Sequence, residues 1–184
     1  PIAALPPLLL ALDASITLAD NRGAERQLPL SDFYRGYKET ALENGEYLAE
    51  VRFPARAVND FHRVYKVSKR REDDISAVMA AIRLRTRASE YGDVFTEVRI
   101  AFGGMAATPV RVITAESKLL GHTRQDESAL HAALAAVAET LKPIGDVRAS
   151  ADYRLQIAQN LLRSAWHALT RERSKSHAPR ALYA

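Results

Sequence analysis

The chain contains no cysteine. Its own side chains can therefore build neither a disulfide nor a Cys-held zinc or iron–sulfur cluster. That absence fits a reducing compartment, and a cytoplasmic location is expected. Long apolar runs are missing too. The opening stretch PIAALPPLLLALDA is interrupted by Pro1, Pro6 and Pro7 and lacks both a starting Met and a basic leader. It falls well short of the roughly 20 apolar residues that a membrane-spanning helix needs. A buried helical turn after Pro7 fits it better, and the missing Met implies a start inside a longer protein. Charge of one sign is also scarce: 26 Lys+Arg stand against 22 Asp+Glu, a formal +4, and the basic residues are scattered. That bias is too weak to imply nucleic acid. The signatures GxSxG, GxxxxGK[ST] and HExxH are absent, which removes the commonest hydrolase, P-loop and zinc-protease readings. The histidines, His62, His122, His131, His167 and His177, are far apart, none at the i, i+4 spacing of a helical metal site.

What is present is enough for a globular core: 184 residues, 47% of them hydrophobic, can fill one domain or two small ones. Ile16 and Leu18 alternate with polar neighbours, ADNRG makes a turn at 19–23, and ERQLPL completes a hairpin. Ser31 is placed to cap a short helix through Tyr37. A turn at 43–45 leads to the strand EYLAEVRFP, with Leu48, Val51 and Phe53 as its apolar members. ARAVND at 55–60 reads as a linker. Phe61 to Ser68 alternates as a strand. From Ser76 to Arg87 the alanines favour a helix, but Ile82 and Leu84 alternate with Arg83, Arg85 and Arg87 at period two, which predicts a strand. Val98, Ile100 and Phe102 share one face of a further strand that pairs with it as an antiparallel hairpin.

Helices fill the remainder. Thr108 and Pro109 read as a cap and first turn, with Gly121 closing that helix. Asp126 caps the next, which stops at Pro143. Ser150 opens a third whose Leu155, Ala158, Leu162, Ala165 and Leu169 form one apolar stripe. After Thr170 the periodicity lapses, which predicts a flexible tail over 171–184. The fold class expected is α+β, an antiparallel sheet covered by about three helices.

One stretch resists a bland account. YKVSKRREDDISAV packs Lys69, Arg70 and Arg71 against Glu72, Asp73 and Asp74. As a solvated loop it would gain only about 0–1 kcal/mol per exposed ion pair. Its company argues for more: Lys66 just before it, and the strand end FGGM at 102–105, whose glycines permit either a close ligand approach or, the preferred reading, a sharp turn.

Together with VRIAFGGMAATPVR, DVRASADYRLQIAQNLL and LPLSDFYRGYKETALENGEYLAEVRFP, this stretch resembles the flavoprotein of the xanthine dehydrogenase family, in the same order from about Pro1 to Leu162. The resemblance implies the rear part of an α+β FAD-binding domain over 1–57. A domain like the C-terminal domain of the carbon monoxide dehydrogenase flavoprotein follows over 58–170. It further implies electron transfer from a molybdenum cofactor that hydroxylates a purine, through [2Fe–2S] clusters, to FAD and then NAD. Molybdopterin and the clusters would sit on other segments or subunits. Lys66 and Leu48 match residues that contact FAD, and Asp73 matches an acidic residue near the flavin edge. Where the family carries an Asp that touches the cofactor, this chain has Ala4. The glycine-rich loop and first FAD subdomain would precede Pro1, so the chain alone is expected to be a fragment without activity. Partners implied are a molybdenum-binding large subunit and the missing iron–sulfur and FAD segment. A non-catalytic docking domain for that large subunit, or the flavoprotein of a related molybdenum hydroxylase, are the alternatives.

Overall fold

The computed structural model describes residues 4–57, 59–69, 75–90 and 92–176. Helix α1, Leu5–Ala11, opens the chain and buries Leu9, Leu10 and Ala11. Its first turn carries Pro6 and Pro7, whose fixed φ suits a helix start. Asp13 and Ala14 close it: the Asp13 N–H donates to Leu10 O at 3.1 Å and the Ala14 N–H to Leu9 O at 3.0 Å. This is the paired pattern of a Schellman ending, with Asp13 at φ 52° where glycine is usual.

Strands β1 (Ser15–Asp20), β2 (Glu25–Pro29), β3 (Tyr34–Gly36), β4 (Glu39–Thr40) and β5 (Glu46–Arg52) follow. They form a three-stranded antiparallel sheet in the order β2-β1-β5 and a separate β3-β4 pair. The helix expected from Ser31 to Tyr37 is not formed. Only a single 3-10 turn, Leu30–Asp32, precedes the β3-β4 hairpin. The Ser31 hydroxyl is drawn to Asp32 Oδ1 at 3.0 Å, and Ala41 N–H donates to Phe33 O at 2.8 Å, closing the hairpin. The local β3-β4 pairing overrides a weak cap signal.

The second sheet is built from β6 (Asp60–Val67), β7 (Val78–Ser89), β8 (Gly92–Gly103) and β9 (Val110–Arg111), in that order and antiparallel throughout. The period-two reading of β7 and its hairpin with β8 is borne out, with Ile82 opposite Ile100 and Leu84 opposite Val98. Helices α2 (Ile113–Leu119), α3 (Glu127–Thr140) and α4 (Ala151–Ser176) cover one face. Between them and the sheet lies the main core, with Val78, Ile82, Ile100, Phe102, Leu130 and Leu162 among its buried members. Trp166 packs its ring 5.3 Å from that of Phe95. The opposite face is partly covered by α1, which packs through Leu9, Leu10 and Ala11 onto Ala81 and Ala101.

Asp126 caps α3 as expected, its carboxylate accepting from the Ala129 N–H at 3.1 Å. Ser150 does the same for α4 through the Tyr153 N–H at 3.2 Å. Two helix boundaries differ from expectation. Helix α2 begins at Ile113 rather than Thr108, because Val110 and Arg111 are taken up as a strand against Phe102 and Ala101. Helix α4 continues past Thr170 to Ser176, where a tail is expected. RERSKS lacks an apolar stripe, but Arg, Glu and Lys are good helix formers and extend a helix already nucleated.

Candidate functional site

The charged run is an excursion between paired strands. Val67 is the last residue of β6 and lies opposite Val78, and the Ala77 N–H donates to Val67 O at 2.7 Å, closing the mouth. Lys66 sits one position before that mouth. Phe61, Tyr65 and Val67 turn toward the helices, so strand alternation puts Lys66 on the other face, where it is exposed. In register across the sheet stand Lys66, Met79 and Gly103. The lysine and the glycine-ended strand, some forty residues apart in sequence, are thus brought into one row.

Leu48 lies in β5, opposite Leu18 beyond a bulge. It is 42% exposed, and its neighbours Tyr47 and Phe53 are both 56% exposed. Alternation puts Tyr47 and Leu48 on opposite faces of β5, so Leu48 offers its face one exposed apolar side chain. The N-terminal unit carrying it contacts the second sheet through Ala81 and Ala101, on the same face as Lys66. Asp73, with Arg70, Arg71, Glu72 and Asp74, lies outside the described residues.

Sequence reasoning missed the groups that hold the loop mouth. Arg154, in the first turn of α4, is 2% exposed. Its Nη1 donates to Ala77 O and to Gly104 O, the latter at 3.0 Å, and its Nη2 to Asp146 Oδ1 at 2.7 Å. Burial works to raise the Asp146 carboxyl. The Arg148 and Ala149 amides and the Arg154 guanidinium outweigh it and hold the group at about 2. Lys69, just after β6, donates to Val147 O at 2.8 Å, which ties that residue to the segment before α4. Two cavities flank Arg148. One of about 400 Å³ reaches Tyr37, Gly104, Lys142 and Ile144. The other, of about 480 Å³, reaches Ser68, Lys69, Ser150 and Tyr153. The signal available in the sequence was the ADYR run at the head of α4, an arginine just inside an apolar stripe.

Gly104 is the turn expected of FGGM. Its φ is +78°, and a Cβ there would meet Ala77 O at 2.7 Å and Arg154 Nη1 at 3.2 Å. Gly104→Ala is expected to cost about 2 kcal/mol, from the left-handed backbone and the clash together. A urea titration of the two chains checks it, and a difference below about 0.5 kcal/mol would contradict the tight packing.

Ala4 is the N-cap of α1 and makes no side-chain cap bond. An Asp there would gain no ordinary cap either, because the second and third helical positions are Pro6 and Pro7, which lack N–H groups. Alanine at this position therefore costs the helix little.

Among the described residues no group of three or more His, Cys, Asp and Glu could hold a metal, and no helix is long and apolar enough to cross a membrane.

Residues 63–169 match the model of the CO dehydrogenase flavoprotein C-terminal domain, and residues 1–56 that of the FAD binding domain in molybdopterin dehydrogenase. The nicotinate hydroxylase hnxS of Emericella nidulans is 33% identical over 172 residues, covering 91% of this chain and 12% of that protein. The xanthine dehydrogenase of the same organism is 32% identical over 169 residues, with the same two coverages, 91% and 12%. The solved carbon monoxide dehydrogenase from Hydrogenophaga pseudoflava lacking the Mo-pyranopterin moiety aligns with a TM-score of 0.80 at 31% identity, over 89% of this chain and 55% of that one. The chain thus spans about an eighth of those two curated relatives and about half of the solved chain. With both family models matched in chain order, the chain belongs to the molybdopterin dehydrogenase flavoproteins, carrying part of their FAD binding domain followed by the CO dehydrogenase flavoprotein C-terminal domain.

Proposed function

We propose that this chain completes the FAD site of a xanthine dehydrogenase, with residues 1–57 as the rear of the flavin-binding domain and 58–170 as the domain after it. The observation that carries this is the placement of Lys66: an exposed cation one residue before the charged excursion, in register with Gly103 and on the face that meets the N-terminal unit. FAD, when bound, supplies the redox chemistry that passes electrons from iron–sulfur clusters on another segment to NAD during hydroxylation of a purine. This chain's residues bind and orient it. Lys66 offers its ammonium to a phosphate or to the electron-rich edge of the flavin, Leu48 packs against the cofactor, and Asp73 limits approach to the flavin edge. The partners are the missing iron–sulfur and FAD segment and a cytoplasmic molybdenum-binding subunit.

Co-expression with the complementary N-terminal segment is expected to yield a yellow complex with flavin absorbance. A complex in which both parts fold without retaining FAD would overturn the reading. Lys66→Ala in that complex is expected to weaken FAD retention about tenfold, the scale of one charge-assisted contact. Equal retention, measured by fluorescence of released flavin, would remove Lys66 from the site.

A second reading, a docking domain for the molybdenum-binding subunit, draws on Ile144 and Val147, which are 78% and 86% exposed beside the two cavities. A stable complex with that subunit that never acquires flavin would favour it.

A further inference from the structure

We infer that Asp13 is a positioning residue of the flavin site: its carboxylate sets the orientation of the unit that carries Leu48 on the sheet that carries Lys66. The consequence for flavin rests on the function proposed above.

Asp13 lies where α1 ends, and arginines from three adjacent strands converge on it. Its Oδ2 accepts from Arg83 Nη2 of β7 at 2.9 Å, and its Oδ1 from Arg99 Nε of β8 and Arg111 Nη1 of β9, both at 2.8 Å. Arg83 and Arg99 stand directly opposite each other across the β7-β8 pair, an arrangement that like charges disfavour. Arg83 is also 3% exposed and needs a counter-charge to stay buried.

The pattern extends along the sheet. Arg83 donates to Glu97 Oε2 at 2.7 Å, Arg85 bridges Glu97 and Asp60, and Arg111 donates to Glu116 Oε2 at 2.6 Å. Asp13, Asp60, Glu97 and Glu116 thus balance Arg83, Arg85, Arg99 and Arg111. Of these eight groups, Asp13 alone comes from residues 1–57.

The apolar contact between the two units constrains their angle weakly. Leu9, Leu10 and Ala11 meet Ala81 and Ala101, whose methyl groups offer no polar anchor, and apolar attraction is non-directional. Charge-assisted hydrogen bonds to three fixed strands are directional. The backbone agrees: Asp13 occupies a left-handed position, φ 52°, that glycine would fill at lower cost. The aspartate thus sits at a backbone position where its side chain, and not its backbone preference, makes the three ion pairs.

That conformation provides a clean test. Asp13→Gly keeps the turn while deleting the carboxylate, and Asp13→Asn keeps the shape while deleting the charge. Because the chain has no cysteine, Asn44→Cys and Lys118→Cys, both at exposed positions, place one spin label on each unit. The distance distribution from electron–electron double resonance is expected to be narrow with Asp13 present. It is expected to be at least about twice as wide in either variant, with unchanged far-ultraviolet circular dichroism. Loss of stability alone would not broaden it in samples prepared well below the melting temperature. An unchanged width overturns the inference.

In the flavin-containing complex, Asp13→Asn is expected to weaken FAD retention about tenfold. If Lys66→Ala weakens retention and Asp13→Asn does not, the positioning role falls while the flavin reading stands. If Lys66→Ala has no effect, the flavin reading loses its carrier, and the distance distribution still decides the orientation.

Discussion

Arg154→Ala is expected to destabilise the chain by about 3–5 kcal/mol, the usual cost of removing one partner from a buried, hydrogen-bonded charge pair. The guanidinium is 2% exposed and ties three separate segments together: Ala77 at the return of the charged excursion, Gly104 at the end of β8, and Asp146 before α4. Its removal orphans two carbonyls at the floor of the loop mouth and leaves the Asp146 carboxylate with only the Arg148 and Ala149 amides and a 3.4 Å approach to Arg148 Nη1. Each buried group left unsatisfied costs on the order of 1–3 kcal/mol. For a chain of this length that corresponds to a melting temperature lower by about 10 °C. Arg154→Lys is expected to recover less than half of the loss, since a single ammonium cannot serve two carbonyls and a carboxylate in a planar fork. A drop below about 1 kcal/mol for the alanine variant would mean that Ala77 and Gly104 are held by the sheet alone.

The sequence announces what depends on local periodicity. Alternation at period two placed β6, β7 and β8 correctly, even through the alanines of 76–87, because Ile82 and Leu84 are separated by arginines rather than followed at three or four residues. The caps at Asp126 and Ser150 were legible for the same reason: each is a polar residue immediately before an apolar helical stripe. The misplaced elements, at Ser31 and Thr108, are those where a neighbouring strand competes for the backbone, β4 with β3 and the end of β8 with Val110 and Arg111.

Long-range charge pairing was not legible at all. Arg83 and Arg85 read only as the alternating positions between Ile82 and Leu84, and yet Arg83 is buried. Asp13 carries no signal of its own in the sequence, and its three arginines are 70, 86 and 98 residues away. No local pattern encodes which carboxylate will neutralise which arginine. The row of Lys66, Met79 and Gly103 occupies an intermediate position. The strands carrying Lys66 and Gly103 could be read separately, but their registry follows from two hairpins whose lengths only the folded sheet fixes.

The same separation explains why the mixed-charge run looked unanchored. Its tip, including Asp73, lies outside the described residues. Its roots are held by groups remote in sequence: Lys69 by Val147 O and Ala77 by Arg154. Elements that look like independent features of the primary structure, a charged loop, a glycine-ended strand and an arginine at a helix start, meet at one mouth beside Lys66. Whatever moves α4 relative to β7 is therefore expected to alter that mouth.

Asp60→Asn is expected to lower stability by about 2 kcal/mol at pH 7, and the deficit is expected to shrink as the solution is acidified. Asp60 is 4% exposed. Its carboxylate accepts from Arg85 Nη2 at 3.0 Å and from the Ala57 N–H at 3.2 Å. The Arg85 hydrogen bond, opposed by burial and aided by the Ala57 amide, holds the carboxyl at about 2, against an ordinary 3.8. A carboxyl whose folded value lies below its unfolded value stabilises the fold fully above the unfolded one. Here that is above about pH 5, where the gap between the folded and the ordinary value corresponds to about 2 kcal/mol. As pH falls, the unfolded chain takes up its proton first. By pH 3 about half of the contribution remains, and near pH 2 little is left. His62, 3.5 Å from Asp60 Oδ2, adds in the same direction: burial lowers its pKa below the ordinary 6.5 despite the neighbouring carboxylate. Protonating it in the fold is therefore harder than in the unfolded chain, and its contribution begins to fade as pH drops below that value. The asparagine variant retains the Arg85 contact to Glu97, so the difference between the two chains reports the Asp60 charge together with its coupling to His62. Urea midpoints of both at pH 7 and pH 3 measure it. A deficit of equal size at the two pH values would show that asparagine disturbs packing rather than charge, and would remove Asp60 as the acid-sensitive member of the network.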